Sequence, residues 1–191
     1  MKYGIAIGLF LFSTLTYAQT VQFFGLRLNE KLELAACPQE VMSAGINHLK
    51  ADSYQGPTCF WKDGEASSAY GHTVQKGYVL FAQGYLPQWL VYNNMVVSVM
   101  DGRLVSIRAV TRGMAYQVEI KDFLWGKLGK PVIDIVVDRH TSGEIKNYLQ
   151  TGAIAVAWVN GNILTTLWGQ ETLVDSGMLT IRTKEYEELG R

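Results

Sequence analysis

Residues 114–131 read MAYQVEIKDFLWGKLGKP, the one long run outside the N-terminus with a helical period, and the fold is read outward from it. Tyr116, Ile120, Phe123, Leu124 and Leu128 fall at i, i+4, i+7, i+8 and i+12, which draws one apolar stripe down a helix. The end of the helix is marked chemically. Gly129 suits left-handed closure, Lys127 and Lys130 suit the negative end of the helix dipole, and Pro131 has no N–H with which to continue. Val118 and Trp125 fall off the stripe, so Trp125 is a candidate contact residue that core packing does not explain.

Strand-like segments flank this helix. Residues 94–100 and 103–111 surround Asp101-Gly102, and residues 153–159 and 162–168 surround Asn160-Gly161. Both dipeptides favour two-residue type I′ hairpins, whose central residues need positive φ. In these registers Val99 faces Leu104 and Val96 faces Ile107 in the first hairpin. In the second, Trp158 faces Ile163, Val156 faces Thr165 and Ile154 faces Leu167, which makes that face the core candidate. The run VIDIVV at 132–137 is a further strand, residues 178–183 a last one, and residues 184–191 a charged tail able to form one helical turn.

Upstream the pattern is weaker. Phe24, Leu26 and Leu28 alternate as on a half-buried strand, residues 39–51 suit one short helix, and residues 78–83 a short strand. Residues 53–77 are rich in Gly, Ser, Asp and Thr and read as strand fragments joined by turns. The element order predicts an α+β fold, an antiparallel sheet built from hairpins with one main helix packed on a face in two layers. It leaves open two similar halves, 21–92 and 93–183, within one compact domain spanning 19–191.

The first eighteen residues read as a secretory signal peptide. Lys2 supplies the basic start, residues 5–15 the apolar stretch, and Thr16-Tyr17-Ala18 a small-residue cleavage site. The apolar run is shorter than the roughly 20 residues that span a bilayer, so no integral membrane segment is expected after signal removal. Localisation is therefore expected to be periplasmic or secreted. Seventeen basic residues balance seventeen acidic ones, which gives no reason to expect a nucleic-acid partner. The two cysteines, Cys37 and Cys59, fit neither CxxC nor a zinc pattern, and in an oxidising compartment they form a disulfide.

The runs FFGLRLNEKLELAACP, VTRGMAYQVEIKDFLWGKLGKP and VAWVNGNILTTLWG resemble small exported proteins of Gram-negative bacteria. The helix ending, with Gly113, Leu124, Lys127, Gly129, Lys130 and Pro131, is similar to modules of the β-lactamase-inhibitor-protein fold and of small outer-membrane assembly lipoproteins. That resemblance implies a helical layer on an antiparallel sheet and protein binding rather than catalysis. The chain departs from the lipoproteins in lacking a cysteine at the leader's cleavage site.

Catalytic signatures are sparse. No Gly-x-Ser-x-Gly, no free cysteine beside a histidine and no Gly-rich phosphate loop occurs. His48, His72 and His140 lie outside recognised motifs; Asp134, Asp138 and His140 share one face if the strand runs that far, and His72 shares a loop with Asp63 and Glu65. These are the only candidate metal ligands, and no catalytic residue, resident metal or cofactor is expected. Aromatics are denser: Phe60, Trp61, Tyr70, Tyr78, Phe81, Tyr85, Trp89 and Tyr92 crowd one region. Tyr85, Trp89 and Tyr92, around the Gly84 and Pro87 turn, are expected to be exposed and, with Trp125, to form the binding residues. The expected function is a non-catalytic exported protein that binds a protein partner in the envelope or outside the cell, as an inhibitor, immunity factor or assembly accessory. The alternatives are an envelope-glycan-binding module and a small metal-assisted hydrolase.

Overall fold

The computed structural model describes residues 21–42, 53–112, 114–137, 153–170 and 176–189. Residues 1–20, 43–52 and 138–152, with His48, Asp138 and His140, lie outside the described residues. In chain order the elements are β1 (Gln22–Phe23), β2 (Leu26–Arg27), α1 (Gln39–Met42), β3 (Cys59–Lys62) and β4 (Ser67–Ala69). There follow β5 (His72–Leu80), β6 (Asn94–Met100), β7 (Arg103–Arg112) and α2 (Met114–Leu128). The chain continues through β8 (Ile133–Val137), β9 (Ala153–Asn160), β10 (Ile163–Gln170), β11 (Ser176–Thr183) and α3 (Lys184–Leu189).

One antiparallel sheet of nine strands dominates. Its order is β3-β5-β6-β7-β11-β10-β9-β8, with β4 also paired to β5. This corrects the two-layer α+β expectation, including the helical layer implied by resemblance: the described residues are mostly antiparallel β with three small helices. The reason is dimensional. At about 4.8 Å between strands the sheet is roughly 34 Å across. A 15-residue helix is about 22 Å long and one helix wide, so it covers part of one face and makes no layer.

The strands form two meanders, β3 to β7 and β8 to β11, joined where β11 lies antiparallel to β7. Pairing of β5 with β6 runs across residues 92 and 93, so the meanders divide at α2. Side chains alternate between two faces, as the pleat requires. The inner face carries Val97, Ile107, Ile181, Leu179, Leu167 and Val156, all buried in one cluster. Helix α2 covers part of it with the expected stripe: Ile120 and Leu124 are fully buried, and Tyr116, Phe123 and Leu128 pack against them. Trp158 Nε1 donates to the carbonyl of Gly129 at 2.9 Å, which pins the end of the helix to the sheet.

A small hairpin, β1–β2, packs on the same core. It turns through Phe24 and Gly25, at φ 51° and 81°, where one continuous half-buried strand was expected. The Phe24 ring stacks on Phe123 at 6.0 Å, and Trp89 touches both rings at 5.9 and 5.6 Å. Three sequence-distant segments meet in this aromatic group.

Both predicted hairpins form, each with a shifted register. Val99 does face Leu104, but a bulge beside Ser98 and Val99 pairs Val96 with Arg108 and Val97 with Ile107. An extra residue on β7 displaces everything beyond it by one position. In the second hairpin Asn160 pairs with Ile163, so the turn residues are Gly161 and Asn162 and Trp158 faces Thr165. Only Gly161 has positive φ, 59°, as in a type II′ turn with glycine first. The slip preserves strand parity, and Val156, Trp158, Ile163 and Leu167 are buried as expected.

Cys37 and Cys59 form the disulfide, with Cα atoms 4.9 Å apart. Beside it the backbone N–H of Cys37 donates to the Phe60 carbonyl at 3.1 Å, and that of Phe60 to the Ala35 carbonyl at 2.9 Å. The bridge thus fastens the chain after β2 to the end strand β3.

The packing of α2 makes a direct prediction. Leu124→Ala, at a fully buried position, should cost about 3 kcal/mol of stability in urea unfolding. Val118→Ala, at a position 64% exposed, should stay within about 0.5 kcal/mol of wild type. Equal midpoints for the two variants would show that the stripe is not core.

Candidate functional site

The structure separates the four aromatic residues expected to bind. Trp89 is corrected outright: it is 2% exposed, held in the core by Phe24 and Phe123. It anchors the loop between β5 and β6, because Arg112 N–H donates to the Trp89 carbonyl at 2.7 Å and Val91 N–H to the Val110 carbonyl at 3.0 Å. Tyr85 is exposed and lies flat on Phe81 at 5.5 Å. Trp125 is exposed on α2, with Lys121 Nζ 5.9 Å from its ring. Tyr92 is half-buried and lines a cleft of about 480 Å³ with Gln83, Gln88, Asn93, Arg112 and Tyr116.

That cleft carries one cation, Arg112, among uncharged polar walls. Arg112 Nε donates to the Gln88 carbonyl at 2.6 Å, and the remaining polar walls are amides and phenols. Among the described residues lining it there is no carboxylate, histidine or thiol. Such walls suit hydrogen bonding to a hydroxylated ligand.

A second surface was not foreseen: the outer face of the sheet, opposite α2. Cross-strand register places Val110, Met178, Trp168 and Ala155 in one transverse row. Tyr78, Val96, Arg108, Thr180, Thr166, Ala157 and Ile133 form the next. Trp168 and Ile133 are each 50% exposed, Val159 45% and Val96 37%. Among the described residues this face is covered only at its β3 side. There Trp61 stacks on Tyr78 at 5.5 Å beside the cluster of Cys37, Tyr54, Cys59 and Leu80, and α3 lies over the neighbouring corner through Tyr186 and Leu189. The sequence carried one signal for it, since Leu164 and Trp168 have the parity opposite to the core residues of β10. The order that puts β11 between β7 and β10, and so brings Arg108 beside Thr180, has no local signature.

The expected metal ligands are spoken for or lie elsewhere. Lys121 Nζ holds both carboxylate oxygens of Asp134 at 2.7 and 2.6 Å. His72 leaves Asp63 and Glu65 aside; its Nδ1 is 2.7 Å from Asp101 Oδ2, while Thr73 N–H donates to Oδ1 at 2.9 Å. Among the described residues no group of three or more His, Cys, Asp and Glu is gathered as for a metal ion.

The His72–Asp101 pair ties the start of β5 to the β6–β7 turn, and each partner shifts the other's pKa. The hydrogen bond to Asp101 raises the His72 pKa above 6.5, against a smaller opposing effect of desolvation, and the charges of Asp101 and Glu185 add to the rise. The same bond, then the Thr73 amide, lowers Asp101 below 3.8. A raised histidine stabilises fully below its unfolded value and loses that contribution as pH rises through its folded value. A lowered aspartate stabilises above its unfolded value and loses that contribution as pH falls through its folded value. The pair is therefore worth most between 3.8 and 6.5. The stability gap between wild type and His72→Gln should be widest near about pH 5.5 and should close towards about pH 8.5 in urea titrations. A gap independent of pH would show that the pair carries none of it.

A scan against protein-family models, a search of curated proteins and a search of solved structures each find no match, so the function is read from the site's own chemistry.

Proposed function

We propose that this chain is an exported, non-catalytic binding domain whose partner is a protein docking on the outer face of the sheet. The observation that carries the reading is the exposed set Val96, Ile133, Val159 and Trp168 on one face that the described residues leave largely open, on the same face as Lys76, Arg108 and Arg182. Apolar side chains on an open sheet lower the free energy when a partner removes them from water, by roughly 25 cal/mol per Å². Cations beside them select a partner that brings carboxylates. The chemistry expected of the partner is thus an apolar segment flanked by acidic residues, on an envelope or extracellular protein.

Export is supported by the leader pattern and by the disulfide, a bond that persists in oxidising compartments. Among the described residues no helix is long and apolar enough to cross a membrane. An inhibitor, an immunity factor or an assembly accessory would each use such a face. The cleft beside Tyr92 and Tyr116, lined by amides, phenols and Arg112, favours a second reading, an envelope-glycan module.

The test is positional. A photo-crosslinking residue placed at 159 or 168 should label one partner in envelope extract, competed by unlabelled wild type, whereas the same residue at exposed position 118 on α2 should not. Trp168→Asp should weaken that complex by about 2 kcal/mol while leaving the fold intact. Equal labelling from position 118 would sink the proposal, as would a product consisting of two copies of this chain. Sedimentation with peptidoglycan that Tyr92→Ala abolishes would move the assignment to the cleft.

A further inference from the structure

A recess lies at one corner of the outer face, roofed by α3. By register Lys76 pairs with Ser98, Ser98 with Ser106, and Ser106 with Arg182, so two short side chains sit between two long cationic ones. At about 4.8 Å per strand, Lys76 and Arg182 are roughly 14 Å apart. The gap lets α3 fold down: Thr183 caps its start, with its Oγ1 3.3 Å from the Tyr186 N–H, and Tyr186 Oη lies 2.9 Å from Ser98 Oγ. What remains beside the tyrosine is a cavity of about 410 Å³.

The cavity is polarised along the strands. Lys76, Arg108 and Arg182 line one part; Val74, Ala69 and Leu189 line another, above the buried Met100 and Val105. Glu187 is the one carboxylate among the described lining residues, and it is engaged, since Arg182 Nε lies 2.6 Å from its Oε2. Lys76 and Arg108 have no ion-pair partner among the described residues. Three cations against one carboxylate leave an excess of positive charge in a recess, where field lines concentrate and an anion is attracted. Folding does not require that arrangement, because like charges on neighbouring strands repel.

We propose that this recess binds a small amphiphilic anion, an acid head group on a short aliphatic tail. The head sits among Lys76, Arg108 and Arg182, where a guanidinium offers two parallel N–H donors to a carboxylate or phosphate. The tail lies on Val74, Ala69 and Leu189. The site does not rest on the protein-docking reading, and the purified chain is enough to test it.

Calorimetric titration at low salt with octanoate, octyl phosphate, octanol and acetate separates the contributions. Octanoate or octyl phosphate should bind, the tighter of the two naming the head group, and octanol and acetate should each bind at least about tenfold more weakly. Arg108→Gln and Lys76→Gln, both at exposed positions, should each weaken the amphiphile at least about tenfold, and Lys130→Gln should leave it unchanged. Absence of binding by either amphiphile up to about 10 mM would overturn the proposal. So would equal affinity for octanol, or full affinity in both cavity variants.

Discussion

Everything else in this fold hangs on the pairing of β11 with β7. Seven register pairs, from Ser176 with Arg112 to Arg182 with Ser106, join the end of one meander to the end of the other. The partners are some seventy residues apart, so the loop-closure entropy must be offset by what the pairing buries. Leu179, Ile181, Ile107 and Ala109 lie at that seam, all within the main core. Gly177 shows how close the contact is. A Cβ there would stand 2.6 Å from Thr111 Oγ1 and 2.8 Å from Gln117 Nε2, so any other residue would push β11 away from the helix. Gln117 is itself buried and donates to Thr111 Oγ1 at 3.3 Å and the Arg112 carbonyl at 2.8 Å, which ties the first turn of α2 to β7. The site of the helix follows from the strand pairing.

A sheet this wide must dispose of two faces and two edges. Helix α2 and the β1–β2 hairpin share the inner face, and the aromatic contact of Phe24 with Phe123 closes the seam between them. The edges are blunted by different means. At one end β3 is only four residues long, is joined by the parallel bridge of Ala36 with Phe60, and is held by the disulfide. At the other, β8 carries Asp134, whose partner is Lys121 of the helix; a charge on an edge strand discourages pairing with another chain. With edges protected in this way, the outer face is where contact with another molecule costs the fold least.

Legibility in the sequence followed the range of each signal. The helix could be read from Ile120, Leu124 and Gly129 because spacing and termination are local, and Asp101-Gly102 and Asn160-Gly161 announced their hairpins for the same reason. The bulge at Ser98 and the displaced turn at Gly161 escaped because a register is settled by both strands together; parity survived the slip of the second hairpin but not the bulge of the first, which puts Val96 on the face opposite Ile107. The prominence of the helix also biased the reading of the fold. Strands β3 to β5 lie in a Gly- and Ser-rich stretch and alternate weakly, so three of the nine strands read largely as fragments joined by turns. Trp89 misled in the opposite sense: its neighbours Gly84 and Pro87 mark a turn, yet a large ring at a turn can be the anchor that fixes the loop rather than what the loop displays. The outer face had only the parity of Leu164 and Trp168 to announce it, and its recess was beyond reach, since Arg182 joins Arg108 only once β11 is inserted beside β7.

The outer face also sets limits on what can bind it. A continuous apolar surface on a twisted sheet would draw any exposed hydrophobic segment, but here Thr166, Thr180 and Arg108 interrupt the row between Ala157 and Val96. Each interruption must be satisfied by whatever displaces water from it, because a buried hydroxyl or guanidinium left unpaired costs about 1 to 3 kcal/mol. A partner that is merely apolar forfeits much of what it gains on Trp168 and Val159. One that presents an acidic group opposite Arg108 keeps that gain and adds a charge-assisted bond. On the proposed reading, the polar residues that interrupt the open face would also be the ones that select its partner.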